Sequence, residues 1–295
     1  MGRDHDAVRH ALGRVGVWTF GFDGRAAAAV ADDVRAIEGM GYGALWIPEG
    51  SGSADVLTQL SWLLASTERL TVASGIANVT ARAPEVLARG AALLADAYPE
   101  RVVLGVGIGH EYSTEHRGIA WGRPLMRMGA YLDGMDGAEA ASPRLLAALG
   151  DGMLRLSAAR ALGAHTYFVP VAHTARARDA LGAEPVLAVE QGVILTEDVA
   201  VARMAARAWA VHYLELPNYA NNWRRLGFDD VDVVGGGSDR LLEVAFAWGV
   251  DAIVERVRGH LAAGADHVCI QVIGSADPDE DVAALRALAP ALLSV

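Results

Sequence analysis

The chain contains no lysine; all 25 of its basic residues are arginine. That excludes Schiff-base catalysis by lysine and the phosphate-cradling loop that depends on one. Cysteine occurs once, at Cys269, which supports neither an intrachain disulfide nor a cysteine-rich metal site. It stands in the run HVCIQVI and is expected to be a small core hydrophobe. No stretch of about 18 uncharged apolar residues appears, and MGRDHDAVRH has no signal-like apolar centre. The expectation is a cytoplasmic protein with no membrane partner. Positive charge is scarce: the formal net charge is −11, which argues against a general nucleic-acid partner or an anionic surface. No GxSxG elbow and no HxxxH or HxH pair occurs, so nucleophilic hydrolysis and metal catalysis have little support and no metal site is expected.

What is present is an alternation. Of the 295 residues, 53% are hydrophobic and 21% charged, enough to bury a large core. Short apolar runs read as strands at 15–20, 44–49, 70–76, 101–109, 144–150, 165–171, 185–195 and 267–273. Helical spacing follows at 25–40, 54–67, 84–97 (opened by Pro84), 124–138, 152–162 (stopped by Gly163), 175–181 (with Thr174 as N-cap) and 197–213. Two more helices fall near 239–263 and a last one over 278–292. The segment 214–238 reads as an irregular insertion. Continuously apolar strands between helices imply a parallel sheet covered on both faces. Eight such units imply one closed (β/α)8 TIM barrel over residues 1–295.

Such barrels place their chemistry at the C-terminal strand ends. Those positions here are Trp18–Phe20, Pro48–Gly50, Ser74–Asn78, Gly107–Glu111, Gly150–Asp151, His173–Thr174 and Thr196–Glu197. They form a glycine-lined, largely apolar mouth with few polar groups, which suits a flat ring cofactor that carries the hard chemistry itself. GVGIG at 105–109 lacks the helix that a dinucleotide fingerprint requires at once. The glycines of this run, Gly107 and Gly109 among them, are read instead as relieving crowding where backbone meets a ligand, and Gly107, Ile108 and Gly109 are candidate cofactor-binding residues. Trp18, Phe20, Trp121, Tyr219 and Trp223 are candidates to shape a substrate pocket, and NYANNWRR at 218–225 reads as a lid.

The motifs ALWIPEG, SGIANVTARAP and ERVVLGVGIGH, followed by GDGMLRLSAARALGAHTYFVP and HTARAR, resemble the luciferase-like monooxygenase superfamily. The resemblance runs from about Val15 to Leu292. More narrowly, it points to the branch that uses the deazaflavin coenzyme F420. It implies a bulge after the third strand, with a non-proline cis peptide at Gly75–Ile76 against the cofactor ring, Ser74–Gly75 being the neighbouring candidate. Ser74, Gly75, Ile76 and Asn78 are then cofactor-binding residues. The resemblance also brings Gly163, Ala164 and His165 toward the cofactor phosphate, with the Thr174 hydroxyl and helix start nearby and Arg176 and Arg178 facing the acidic tail. Glu49 matches an acidic position near the ring, although Gly50 replaces the histidine that usually follows. His110 stands where some relatives carry an acid, so Glu49 and His110 are the candidate catalytic proton handlers.

The implied activity is hydride transfer between coenzyme F420 and a small-molecule substrate, by an oxidoreductase that the resemblance makes a homodimer. An FMN-dependent monooxygenase with a separate reductase is the alternative. A cofactor-binding barrel without catalysis is a further alternative of another class, and a metal-dependent barrel hydrolase remains as a rival.

Overall fold

A computed structural model describes residues 4–50, 52–115, 117–275 and 277–295. In chain order the elements are α1 (His5–Leu12), β1 (Val15–Trp18), α2 (Ala27–Met40), β2 (Ala44–Ile47), α3 (Val56–Ala65), β3 (Thr71–Ser74), β4 (Ala77–Asn78), α4 (Pro84–Ala97), β5 (Val102–Gly107), α5 (Glu111–Glu115), α6 (Pro124–Gly137) and β6 (Arg144–Ala147). There follow α7 (Asp151–Arg160), β7 (Gly163–Thr166), α8 (Val171–Leu181), β8 (Val186–Ile194), α9 (Val199–Leu214), α10 (Pro217–Arg225), a 3-10 turn (Asp230–Asp232), α11 (Asp239–Ala245), β9 (Phe246–Trp248), α12 (Val250–Ala262), β10 (His267–Val272) and α13 (Pro278–Leu292).

Eight of the strands close on themselves in the order β1, β2, β3, β5, β6, β7, β8, β10, all parallel. Closure is made by β10, which pairs with β8 (His267 beside Ala188) and with β1 (Val15 beside Val268). The (β/α)8 barrel expected from the eight apolar runs is therefore present. Successive residues of a strand face opposite sides. One set, including Trp46, Ala73, Val103, Leu145, Ala188 and Cys269, fills the barrel interior. The alternate set, including Leu45, Val72, Leu104, Leu187 and Ile270, packs under the helices.

Helix α1 was not legible in the sequence. It is capped by Asp4, whose side chain accepts from the Ala7 N–H, and it adds Val8 and Leu12 to the interior cluster. It thus plugs the end of the barrel opposite the site. Among the described residues no helix is long and apolar enough to cross a membrane.

Three expectations change. Gly163 does not stop a helix; α7 has ended by Arg160, and Gly163 opens β7 opposite Val186. A Cβ there would lie 1.9 Å from the Val186 carbonyl oxygen, so the glycine serves strand pairing. Thr174 is not an N-cap. Helix α8 begins at Val171 after Pro170, which places Thr174 inside the helix, fully buried. The insertion is more ordered than expected: it holds α10, and β9 separates α11 from α12. A second core around Phe168, Ile194, Trp223, Leu241 and Phe246 fastens these elements to the barrel.

Candidate active site

The C-terminal strand ends open into a cleft of about 470 Å³, within the range of small-molecule sites. Its floor is built from β1, β6 and β7, which contribute Trp18, Ala147 and His165, and from Gly75 and Ile76 in the bulge between β3 and β4. The Gly75–Ile76 peptide is cis, at the bond the family resemblance indicated. The bulge is seated by neighbours on both sides. A Cβ on Gly75 would fall 2.4 Å from the Trp18 indole nitrogen, so glycine lets the chain lie flat on the indole. On the other side, a Cβ on Gly105 would lie 2.0 Å from the Ser74 carbonyl oxygen, and one on Gly107 2.4 Å from Ile76 Cγ1. The Ser74 hydroxyl donates to the Gly105 carbonyl at 2.8 Å. Gly105 and Gly107 therefore relieve crowding of backbone against backbone and side chain. Gly107 lies against Ile76, and Ile108, Gly109 and Asn78 line the cleft. Ser74 is fully buried beneath the bulge and supports it.

Glu49 reaches the cleft, but its carboxylate is filled. Oε2 accepts from the Asn78 N–H at 2.8 Å and Oε1 from the Val56 N–H at 3.3 Å. The Arg82 guanidinium binds both oxygens, one at 3.0 Å. The Glu49 N–H donates to the Ile76 carbonyl at 3.3 Å. Held by four donors, the Glu49 side chain ties the loop after β2 to the bulge.

His110 lies at the cleft between two tyrosines, 5.6 Å from the Tyr112 ring and 5.8 Å from the Tyr219 ring by centroids. Burial, with nearby His212 adding to it, pushes its pKa down to about 4. It is a neutral imidazole at pH 7, able to offer one N–H or one lone pair but not the proton of an imidazolium. His165 forms part of the floor, stacked on Trp46 at 4.4 Å, with a pKa driven to about 3 by burial.

The remaining predicted phosphate residues do not reach the cleft. Gly163 and Ala164 pair within the sheet and are buried. The Thr174 hydroxyl bonds His260 Nδ1 at 2.7 Å. Arg178 is spent on Asp266 and on the Gly182, Pro185 and Gly264 carbonyls, and Arg176 on Asp151. A better anion cradle lies elsewhere. Gly150 precedes the first turn of the ten-residue α7 and lines the cleft, and Arg225 of α10 comes within 3.8 Å of a Cβ position on Gly150. Among the described residues Arg225 is in no ion pair, and a helix start beside a cation suits an anion.

The lid reading of 218–225 holds in part. Asn218, Tyr219, Asn221 and Arg225 line the cleft, whereas Trp223 is fully buried in the second core and shapes no pocket. Sequence reading missed Tyr167, His212 and Tyr213. Tyr167 looked like one residue of an apolar strand. Tyr213 stands four residues after Trp209, the spacing of an ordinary packed helix face. Among the described residues no group of three or more His, Cys, Asp or Glu side chains could hold a metal ion.

Barrel, bulge and cleft together resemble those of luciferase-like barrels, and the comparisons with known proteins point the same way. The family model described as luciferase-like monooxygenase matches residues 13–142. A 5,10-methylenetetrahydromethanopterin reductase of Archaeoglobus fulgidus is 28% identical over 95 residues, which is 32% of this chain and 29% of that protein. The matched stretch thus spans less than a third of the relative's length. An F420-dependent secondary alcohol dehydrogenase in complex with an F420-acetone adduct superposes with a TM-score of 0.74 at 13% identity, over 95% of this chain and 98% of the other. The FMN-bound oxygenating constituent of 3,6-diketocamphane monooxygenase from Pseudomonas putida does so with a TM-score of 0.67 at 15% identity, over 94% and 96%. The resemblance read from the motifs is borne out, and the fold likeness extends over nearly the whole chain.

Proposed function

We propose that this protein is an oxidoreductase that transfers hydride between coenzyme F420 and a small organic substrate. The observation that carries the reading is the cleft floor: a largely apolar surface of Trp18, Gly75, Ile76 and Ala147 at the strand ends, beside which Glu49 is the one acidic lining residue among the described residues, its carboxylate filled by Arg82 and two backbone N–H groups. A flat ring suits this site: Gly75 lies directly on the Trp18 indole, where a Cβ would collide, so no side chain of the bulge stands between them, and the α7 start with Arg225 offers a place for an anionic tail. When bound, a deazaflavin supplies a ring carbon that gives or takes hydride.

The chain's own residues then act around that ring. Glu49 and Arg82 hold the bulge, and the aromatic lid excludes water. The neutral His110 offers a hydrogen bond at the rim. FMN is the second candidate, supported by the FMN-bound neighbour of the same fold, and it would make the protein an oxygen-using monooxygenase. The homodimer remains a proposal that light scattering tests. Paired fluorescence titrations with oxidised F420 and with FMN test the central reading: tight binding of the deazaflavin alone is expected. A preference for FMN transfers the protein to the oxygen-using alternative.

A further inference from the structure

We propose that the substrate half of the cleft recognises an aryl carbonyl compound, with the aromatic ring held among the lid side chains and the carbonyl oxygen accepting the Tyr213 hydroxyl. This deepens the proposed function, since a carbonyl carbon is a group that accepts hydride.

The first observation is where the aromatic residues are. The chain is only 6% aromatic, yet seven of its Phe, Tyr and Trp side chains line this one cleft. Trp18 belongs to the floor. Tyr112, Trp121, Tyr213 and Tyr219 come from the segment after β5 and from α9 and α10, above it. Their arrangement mixes edges with faces: Tyr213 meets Tyr219 at 84° and 5.2 Å, while His110 stacks on Tyr112 at 20° and is tilted by 46° against Tyr219. Edges and faces so disposed favour a planar ring over a saturated one of equal size. Among the described residues the lining offers the guest no uncommitted carboxylate, since Glu49 is bound by Arg82.

The second observation is a hydroxyl pair. Tyr167 donates to Gln271 Oε1 at 2.8 Å, which commits its single proton. The Tyr213 hydroxyl lies 3.1 Å from the Tyr167 hydroxyl and so donates toward it. That distance is long for a bond between hydroxyls. The Tyr213 proton is held weakly, beside the cleft, by a phenol that is a poorer acceptor than a ketone oxygen. Gln271 and Tyr167 are positioning residues in this scheme, and Tyr213 is the group that touches the substrate.

The test is calorimetric titration of the whole protein, apo and with oxidised F420 added, using acetophenone, cyclohexyl methyl ketone and ethylbenzene. Acetophenone is expected to bind about tenfold tighter than its saturated analogue and tighter than ethylbenzene. Tyr213→Phe is expected to abolish the preference for acetophenone over ethylbenzene while leaving ethylbenzene affinity unchanged. Tyr167→Phe is expected to retain that preference, because Tyr213 keeps its proton; a purely structural role would make the two variants behave alike. Equal affinity for aryl and saturated ketones, no acetophenone binding up to its solubility limit, or an unchanged carbonyl preference in Tyr213→Phe would each overturn the proposal. If Tyr213→Phe fails to fold by thermal melt, the wild-type comparison of the ketones decides alone. F420 binding without aryl preference sinks this inference and spares the function; aryl preference without F420 binding does the reverse.

Discussion

Two carboxylates in this barrel have opposite fates because of what surrounds them. Glu49 is met by Arg82 and two backbone N–H groups. Among the described residues Glu190, fully inside the barrel, has only the Phe168 N–H at 2.8 Å on Oε2, and no hydrogen-bond partner on Oε1. Burial pushes its pKa up to about 8. In Glu49→Gln, Arg82 keeps Asp55 as its partner at 2.7 Å while the two backbone N–H groups lose a charged acceptor, so the variant is expected to lower stability by about 1.5 kcal/mol, read by urea unfolding. Glu190 behaves in the other direction. Its folded pKa lies above its unfolded value, so its contribution is intact below the usual carboxylate range and is lost as pH rises toward 8. Glu190→Gln keeps an acceptor for Phe168 and is expected to raise stability at pH 8 by about 2 kcal/mol, with little change at pH 4. An unchanged difference across pH would contradict the assignment. Neither fate was legible in the sequence, because Arg82 lies 33 residues from Glu49, and Glu190 sits in a run that reads as plain apolar strand.

At the level of elements, α1 is the piece whose role is easiest to isolate. Leu12 is fully buried against the barrel interior. Leu12→Ala is expected to cost about 3 kcal/mol in denaturant unfolding and to leave cofactor affinity unchanged, because the plug is at the far end. Helix α10 makes the converse case. Arg225→Gln is expected to weaken binding of a phosphate-bearing cofactor severalfold at low salt and less at high salt, with no change in thermal stability; equal weakening at both salt concentrations would remove the charge argument. The same elements show which signals survive without coordinates. Pro84 and the apolar spacing after it mark α4 to the residue. Gly163 misled because a helix-stopping glycine and a strand glycine are the same letter, and only the approach of Val186 tells them apart. Thr174 misled because α8 starts at Val171, behind Pro170, three residues before the apparent cap. The site was legible where strands end, at Gly75, Ile76, Asn78 and Ile108. It was illegible where helical faces from α9 and α10 supply Tyr213 and Arg225 from far along the chain.

Across the whole molecule, the barrel buries an unusual set of histidines in neutral form. His165 and His260 are driven to about 3, and His173 and His267 to about 4, in each case chiefly by burial. Their folded pKa values lie below the unfolded value near 6.5, so the unfolded chain binds protons that the folded barrel refuses. Stability from these groups is complete above about pH 6.5 and is lost as pH falls toward 4, at up to about 1.4 kcal/mol per pH unit for each fully titrating group. Cooperative acid unfolding between pH 6 and 4 is expected, followed by circular dichroism. A stability flat across that window would show that the histidines are protonated within the fold.

The central claim is that the floor around Gly75 receives a deazaflavin ring. It is tested most directly by titrating the pure protein and its Gly75→Val variant with oxidised F420 and with FMN under fluorescence. A valine side chain at Gly75 meets the Trp18 indole and disturbs the floor. Micromolar binding of F420, little affinity for FMN, and loss of F420 binding in a variant that still folds is the predicted result. Binding of neither compound, or F420 binding indifferent to Gly75→Val, would contradict it.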